Sequence, residues 1–403
     1  MPPHPAIAHV DSAAPPIAGR RLVGIDALRG VAALAVLICH LPFSLSTTPA
    51  QPGDAAPVAV SFPGWALAVT GYGEYGVHLF LVLSGFCIHM AVAKSGGHAA
   101  PKFLGFWRRR LHRLYPPYFV ALVFTLAAIF FLFSILGHPT QAGLGAHFGY
   151  PSTSQFVVDL ILLVLLLQNV NGASIRVGNG PFWSLALEEQ LYILYFGLLH
   201  LRRGGWARTL LVVGGVTLAW RAAVLLWPGA LPNYWLVIGP SRWFEWVLGA
   251  LAVEAHLGRV RLPAWCSAPW AAAVSGLMSI AVNAPPIRDL APAVLLRDAS
   301  MGLTFFIVIN HACRARWGEG PNTGWVVRNL RTVGLFSYSL YLTHAVVIVA
   351  VKQFALRLGM GVPVITVLRL VVPIAFSYLF YRVVERRFVN QSRTTSREHR
   401  TAA

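Results

Sequence analysis

The sequence predicts an all-α, polytopic transmembrane helix bundle, and three observations carry that prediction. Of its 403 residues, 56% are hydrophobic and 11% are charged, less than half the roughly 25% charge of a soluble domain. Apolar stretches long enough to cross a bilayer recur along the chain. Basic residues gather in alternate connections between those stretches, the pattern of cytoplasmic loops. A mean hydropathy of +0.62 excludes disorder, a collagen-like chain or a soluble enzyme as the main reading. Lys and Arg exceed Asp and Glu by 32 to 14, for a formal charge of +18. In a membrane chain, basic inner loops explain that excess before nucleic acid does. Cys39, Cys87, Cys266 and Cys313 lie far apart and form no CxxC. They read as packing thiols rather than a disulfide frame or metal site.

Residues 1–20, rich in Pro and Ala, and residues 391–403 read as disordered tails, with 21–390 as one transmembrane domain. The apolar stretch after Arg20 and Arg21 runs to about Phe43 without a small-residue cleavage site, so it reads as an uncleaved first span. Spans are expected near 23–44, 73–93, 115–137, 183–201, 208–227, 235–255, 268–284, 293–312, 332–352 and 362–384, about ten in all. The stretch at 155–170 differs. Asp159 interrupts it, and its charge-free run of about a dozen residues suits a re-entrant or interfacial segment.

Charge supports the same count. Residues 94–113 hold Lys94, Lys102, Arg108, Arg109, Arg110 and Arg113 and no acid, which marks a cytoplasmic loop. The loop 45–72 has no Lys or Arg and belongs outside. If 155–170 does not cross, Arg202, Arg203 and Arg208 also fall inside, as do the later basic clusters and both termini.

Ionisable residues inside spans are costly and therefore functional or paired. Arg29 and His40 stand eleven residues apart in the first span, close to three helical turns, so they share a face about 16 Å apart. A cation below and a titratable base above suit an elongated anionic ligand; the bland alternative is a snorkelling Arg and a structural His. Ser84 and Gly85 are small residues suited to close helix packing. His78 and His89, near the ends of the same span, read as interfacial. The segment 106–118 combines four Arg with aromatics. It anchors the chain at the inner face and offers phosphate ligands. Trp183, Ser184 and Leu185 open a span that carries Glu188 and Glu189 with no nearby basic residue. Arg242 and Glu245 are spaced as an internal ion pair. His344 falls near mid-membrane, with Tyr341 and Tyr338 along one face.

Together these motifs resemble the acyltransferase-3 family of membrane acyltransferases. The matches are Asp26-Ala27-Leu28-Arg29-Gly30 with His40, the run from Phe80 to Phe86, Arg109-Arg110 with Arg113 and Pro116, Trp183-Ser184-Leu185 with Glu188, and Tyr338, Tyr341 and His344. They occur in the family order over most of the chain. The resemblance implies transfer of an acyl group, often acetyl, from acyl-CoA as co-substrate to a hydroxyl of a sugar, polysaccharide or glycoside, with no bound cofactor or metal. It implies catalytic roles for His40, Glu188 and His344, with His40 as general base and Glu188 orienting a histidine. Arg29, Arg109, Arg110 and Arg113 would bind the donor. Ser84, Trp183, Tyr192, Tyr338 and Tyr341 would line the substrate pocket. The expected partners are acyl-CoA, a carbohydrate or glycoside acceptor and the lipid bilayer of a bacterial inner membrane, not nucleic acid. The esterase-like C-terminal domain of some members is not expected here. A proton-coupled transporter is the alternative from the intramembrane charges alone, although no internal repeat is visible.

Overall fold

The computed structural model describes residues 22–43, 72–95, 101–132, 152–172, 174, 179–284, 286–320 and 323–389. The expected tails, and nearly all of the expected outer loop 45–72, lie outside the described residues. Among the described residues twelve α-helices follow in order: α1 Val23–Phe43, α2 Tyr75–Lys94, α3 Phe103–Phe131, α4 Thr153–Val164, α5 Trp183–Leu201, α6 Trp206–Leu226, α7 Gly239–His256, α8 Pro269–Asn283, α9 Ala291–Arg314, α10 Trp325–Leu335, α11 Ser337–Arg357 and α12 Val362–Phe380. No strand occurs among the described residues. The all-α polytopic architecture is therefore as expected.

Among the described residues eight segments, containing α1, α2, α3, α6, α7, α9, α11 and α12, are long and apolar enough to cross a membrane. The two other expected spans, α5 and α8, fall short for different reasons. Helix α5 has 19 residues but carries Glu188, Glu189 and Gln190 on consecutive positions. Helix α8 has 15 residues, about 22 Å of rise against a hydrocarbon core of roughly 30 Å. Two boundaries also differ. Helix α3 begins at Phe103, so the basic run Arg108–Arg113 is helical rather than loop. The expected span 332–352 is a short helix, α10, followed by α11 from Ser337.

The short segment forms α4, 12 residues capped by Ser152 Oγ, which accepts from Gln155 N. Twelve residues rise about 18 Å, too little to span. Tyr115 and Tyr118 of α3 donate their hydroxyls to Val164 O and Leu163 O at 2.6 Å each. The chain is thereby tied at the α4 C-terminus and turns back toward α5.

Two glycine crossings set the packing. A Cβ on Gly85 of α2 would stand 1.9 Å from Trp246 O of α7, and one on Gly249 of α7 would stand 1.9 Å from Val82 O. Gly30 of α1 and Gly334 of α10 meet in the same way, at 2.0 Å from Leu330 O and 1.8 Å from Asp26 O. The backbones touch, as small residues permit between membrane helices. Around the α2–α7 crossing, Val82, Leu83, Phe86, Leu248, Leu251, Phe306 and Ile309 form one buried cluster. Gly76 sits against Ala32 and Gly73 against Ala35 and Cys39, so α2 runs antiparallel to α1.

Charges outside the site are mostly paired. His78 is not interfacial: it is buried and bonds Glu245 Oε2 through Nδ1 at 2.7 Å. Arg242 bridges the expected partner Glu245 at 3.5 Å and Asp298 at 2.8 Å, and Arg221 also bonds Asp298. His89, likewise buried, meets Glu254 at 2.8 Å, and Arg202 meets the same carboxylate at 2.5 Å. Both histidines gained a carboxylate because the glycine crossing presses α2 onto α7.

Gly85→Ala and Gly249→Ala are each expected to cost about 1–3 kcal/mol or more through overpacking. Thermal unfolding of detergent-purified protein would show lowered midpoints. Gly215→Ala, where an added Cβ meets nothing within 4 Å, is expected to leave the midpoint unchanged. A reporter fused at Gly204 is expected to give a cytoplasmic signal, because α4 is too short to cross; an external signal would contradict that topology.

Candidate active site

Five helices and the end of α12 surround a cavity of about 130 Å³. Arg29 comes from α1, Ser84 and Cys87 from α2, Arg110 and Arg113 from α3, Ser184, Glu188 and Tyr192 from α5, and Tyr338 and Tyr341 from α11. Glu385 enters from the π-helical turn Tyr381–Glu385 that continues α12. Helical periodicity explains the selection. Ser184, Glu188 and Tyr192 are spaced i, i+4, i+8, one stripe of α5. Arg110 and Arg113 are spaced i, i+3 and face inward, whereas Arg108 and Arg109, rotated by about 100° per residue, are exposed. Apolar Val77, Phe80, Leu81, Leu114 and Leu185 complete much of the wall.

Of the sequence-expected set, eight residues meet here: Arg29, Ser84, Arg110, Arg113, Glu188, Tyr192, Tyr338 and Tyr341. Four do not line the cavity. Arg109 points away, and Trp183 packs beside the cluster around Leu187, Leu191 and Tyr195. His40 and His344 form a separate pair, edge to face with ring centroids 4.9 Å apart. Tyr341 lies between the pair and the cavity, its ring centroid 5.9 Å from that of His344.

The charges are divided. Among the described residues, Arg29, Arg110 and Arg113 make no ion pair. Arg110 instead lies over the rings of Phe106 and Tyr192, at 5.6 and 5.8 Å. Glu188 Oε1 accepts from Ser84 Oγ and from Tyr192 OH, each at 2.6 Å, and Trp246 Nε1 donates to Ser84 Oγ at 3.3 Å. The hydrogen bonds of Glu188 thus run to α2 and its own helix rather than to either histidine. Glu385 Oε2 accepts from Ser339 Oγ at 2.6 Å and Ser339 N at 3.1 Å. Three guanidiniums and two hydrogen-bonded carboxylates leave the cavity with one excess positive charge, an arrangement suited to phosphate or carboxylate.

The histidines share a backbone device. His40 Nδ1 bonds Val36 O at 2.8 Å, and His344 Nδ1 bonds Leu340 O and Tyr341 O at 2.9 and 3.0 Å. A carbonyl only accepts, so Nδ1 carries the hydrogen and Nε2 is the basic atom in each neutral ring. Tyr338 and Tyr341 are committed through their hydroxyls to Leu114 O and Pro181 O, both at 2.9 Å, and Tyr341 OH also meets Ser184 Oγ.

Sequence reasoning missed Glu385. Its signal was present: it is the last acid before the basic run Arg386-Arg387 and ends an apolar span. Cys87, read as a packing thiol, is exposed on the cavity wall; among the described residues all four cysteines are free.

These features define an integral membrane protein with a cationic cavity enclosed by helices beside a histidine pair. The chain belongs to the acyltransferase-3 family, whose acyltransferase-domain model matches residues 22–382; it is an acyltransferase. Acyltransferase MdmB of Streptomyces mycarofaciens is 28% identical over 81% of this chain and 79% of its own length. The putative peptidoglycan O-acetyltransferase YrhL of Bacillus subtilis is 27% identical over 91% of this chain and 55% of its own. The peptidoglycan O-acetyltransferase OatA of Listeria monocytogenes is 26% identical over 79% of this chain and 48% of its own. The chain therefore spans about half the length of the last two relatives. No solved structure matches.

Cys87 reports directly on occupancy of the cavity. Alkylation at Cys87, followed by mass spectrometry, is expected to slow several-fold when acetyl-CoA is added, with Cys87→Ser as the blank. An unchanged rate would show that acetyl-CoA does not enter this cavity.

Proposed function

We propose that this protein transfers an acyl group, acetyl in the simplest case, from acyl-CoA to a hydroxyl of a sugar, surface polysaccharide or glycoside. The observation that carries the reading is the convergence of Arg29, Arg110 and Arg113 on one cavity without ion-pair partners. Unpaired guanidiniums within a membrane bundle are costly, and anionic phosphates on a bound donor offset that cost. The acidic groups of CoA would meet the arginines, and the thioester would lie toward Tyr341 and the histidine pair. The names of the relatives, two of them peptidoglycan O-acetyltransferases, support an acetyl donor and a carbohydrate acceptor. We place the protein in a bacterial inner membrane with both termini cytoplasmic, as the basic clusters favour.

The chemistry needs one base. The acceptor oxygen attacks the thioester carbonyl, a C–O bond forms and the C–S bond breaks. His40 Nε2 takes the hydroxyl proton and returns it to the departing CoA thiolate. His344 supports the ring of His40 edge to face. Glu188, Ser84 and Tyr192 fix the wall against which the donor lies.

Turnover of labelled acetyl-CoA by purified protein with a glycoside acceptor tests the reading. His40→Ala is expected to lose about 100-fold or more in kcat while still inserting and folding; wild-type turnover by a folded variant would remove His40 from the mechanism. Arg110→Ala and Arg113→Ala are expected to raise the KM for acetyl-CoA about tenfold or more, with Arg109→Ala changing it far less. Equal effects at all three would mean that the outward face of α3 binds the donor as well.

A further inference from the structure

A second group of cations lies at the other end of the same helices. Arg369 of α12 is fully buried. Its Nη2 donates to Leu41 O, the residue after His40, while Nε and Nη1 are buried without a hydrogen-bond partner among the described residues. Lys352 of α11 is also buried and, among the described residues, has no carboxylate against it. Lys352 and Arg369 stand on α11 and α12, which pack against each other. Helices α11 and α12 contain no acid at all, so neither helix supplies a counter-ion. Lys352 stands eight residues beyond His344, about 12 Å along α11, and Leu41 stands twelve beyond Arg29, about 18 Å along α1. The group is therefore distinct from the arginine cavity, and the histidine pair lies between the two. Among the described residues His344 Nε2 is likewise buried without a partner.

A fully buried guanidinium cannot snorkel to water, and an unpaired buried charge is costly. Elsewhere in this bundle the buried charges of Arg221 and Arg242 are answered by Asp298 and Glu245. At Arg369 and Lys352 the donors remain and, among the described residues, no acid answers them.

We propose that Arg369 and Lys352 form an anion site beside the histidine pair, and that it holds a carboxylate or phosphoryl group of the acceptor whose hydroxyl reaches His40. The assignment to the acceptor rests on the acyltransferase reading above; the anion site itself does not. It narrows the acceptor class to acidic sugars or sugars linked to a phosphorylated carrier. One anionic group anchored here orients the molecule, so that a particular hydroxyl faces the thioester.

The test uses the full chain in phosphatidylcholine nanodiscs and three probes of equal tail length: octyl glucuronide, octyl phosphate and neutral octyl glucoside. Wild-type protein is expected to bind one of the two anionic probes at least about tenfold more tightly than the glucoside. Preference for the glucuronide identifies a carboxylate-bearing sugar, and preference for the phosphate identifies a phosphorylated carrier. Arg369→Gln and Lys352→Gln are each expected to remove most of that preference. Arg369→Lys and Lys352→Arg, which keep the charge, are expected to retain part of it, separating charge from fold. Equal wild-type affinity for all three probes overturns the proposal, as does an undiminished preference in both Gln variants. Binding is read without turnover. Anion selectivity without acyl transfer would count against the enzyme reading alone, and acyl transfer without selectivity against this site alone.

Discussion

The cost of leaving a charge unpaired inside a bilayer organises this molecule. A helix bundle in lipid gains little from bringing apolar faces together, because lipid is as apolar as the faces. Close packing and polar contacts must supply the specificity instead. Here the backbones of α2 and α7 touch at Gly85 and Gly249, and that contact delivers His78 to Glu245 and His89 to Glu254. Once those pairs are satisfied, the cations that remain single stand out. Among the described residues two groups of them matter most, one in the cavity bounded by Arg29, Arg110 and Arg113, the other at Arg369 and Lys352. The two groups flank the histidines.

The same constraint explains how α3 can be both an anchor and a wall. Its first turns carry Arg108, Arg109, Arg110 and Arg113 on a continuous helix. Helical rotation sends part of that charge outward, where it can meet water and lipid headgroups, and part inward to the cavity. One short sequence thereby serves topology and ligand binding together. Glu188 is handled differently. Its carboxylate is held by two hydroxyls rather than by a cation, which leaves the nearby guanidiniums available to a ligand.

Much of this was legible in the sequence. Apolar length and basic asymmetry marked most of the spans and the short segment that became α4. Arg29, Glu188, Tyr338 and Tyr341 were singled out because polar side chains in apolar helices are rare. The boundaries failed where charge masked helix: the basic run before Tyr115 lowered local hydropathy, so a helix start looked like a loop. Long-range partners were also invisible. Nothing local pairs Arg221 with Asp298, 77 residues away in the chain. Likewise, the spacing of His78 within α2 cannot show that a glycine crossing brings Glu245 beside it. The resemblance set Glu188 to orient a histidine, yet a sequence does not fix the bearing of two helices. The structure gives Glu188 to Ser84 and gives His40 to His344.

The way both histidines bond their own helices has a consequence for proton traffic. Each ring spends Nδ1 on a backbone carbonyl one turn back, an acceptor that cannot take up or hand on a proton. With Nδ1 committed to a carbonyl, each ring presents Nε2 as its exchangeable nitrogen. A proton taken at Nε2 of His40 must leave from that same atom, on the same side. In the acyl transfer proposed above, deprotonating the nucleophile and protonating the leaving group are then events at one point in space, separated in time. Such a base is reset by its own reaction and needs no proton path through the membrane. That behaviour belongs to a group-transfer catalyst rather than to a pump.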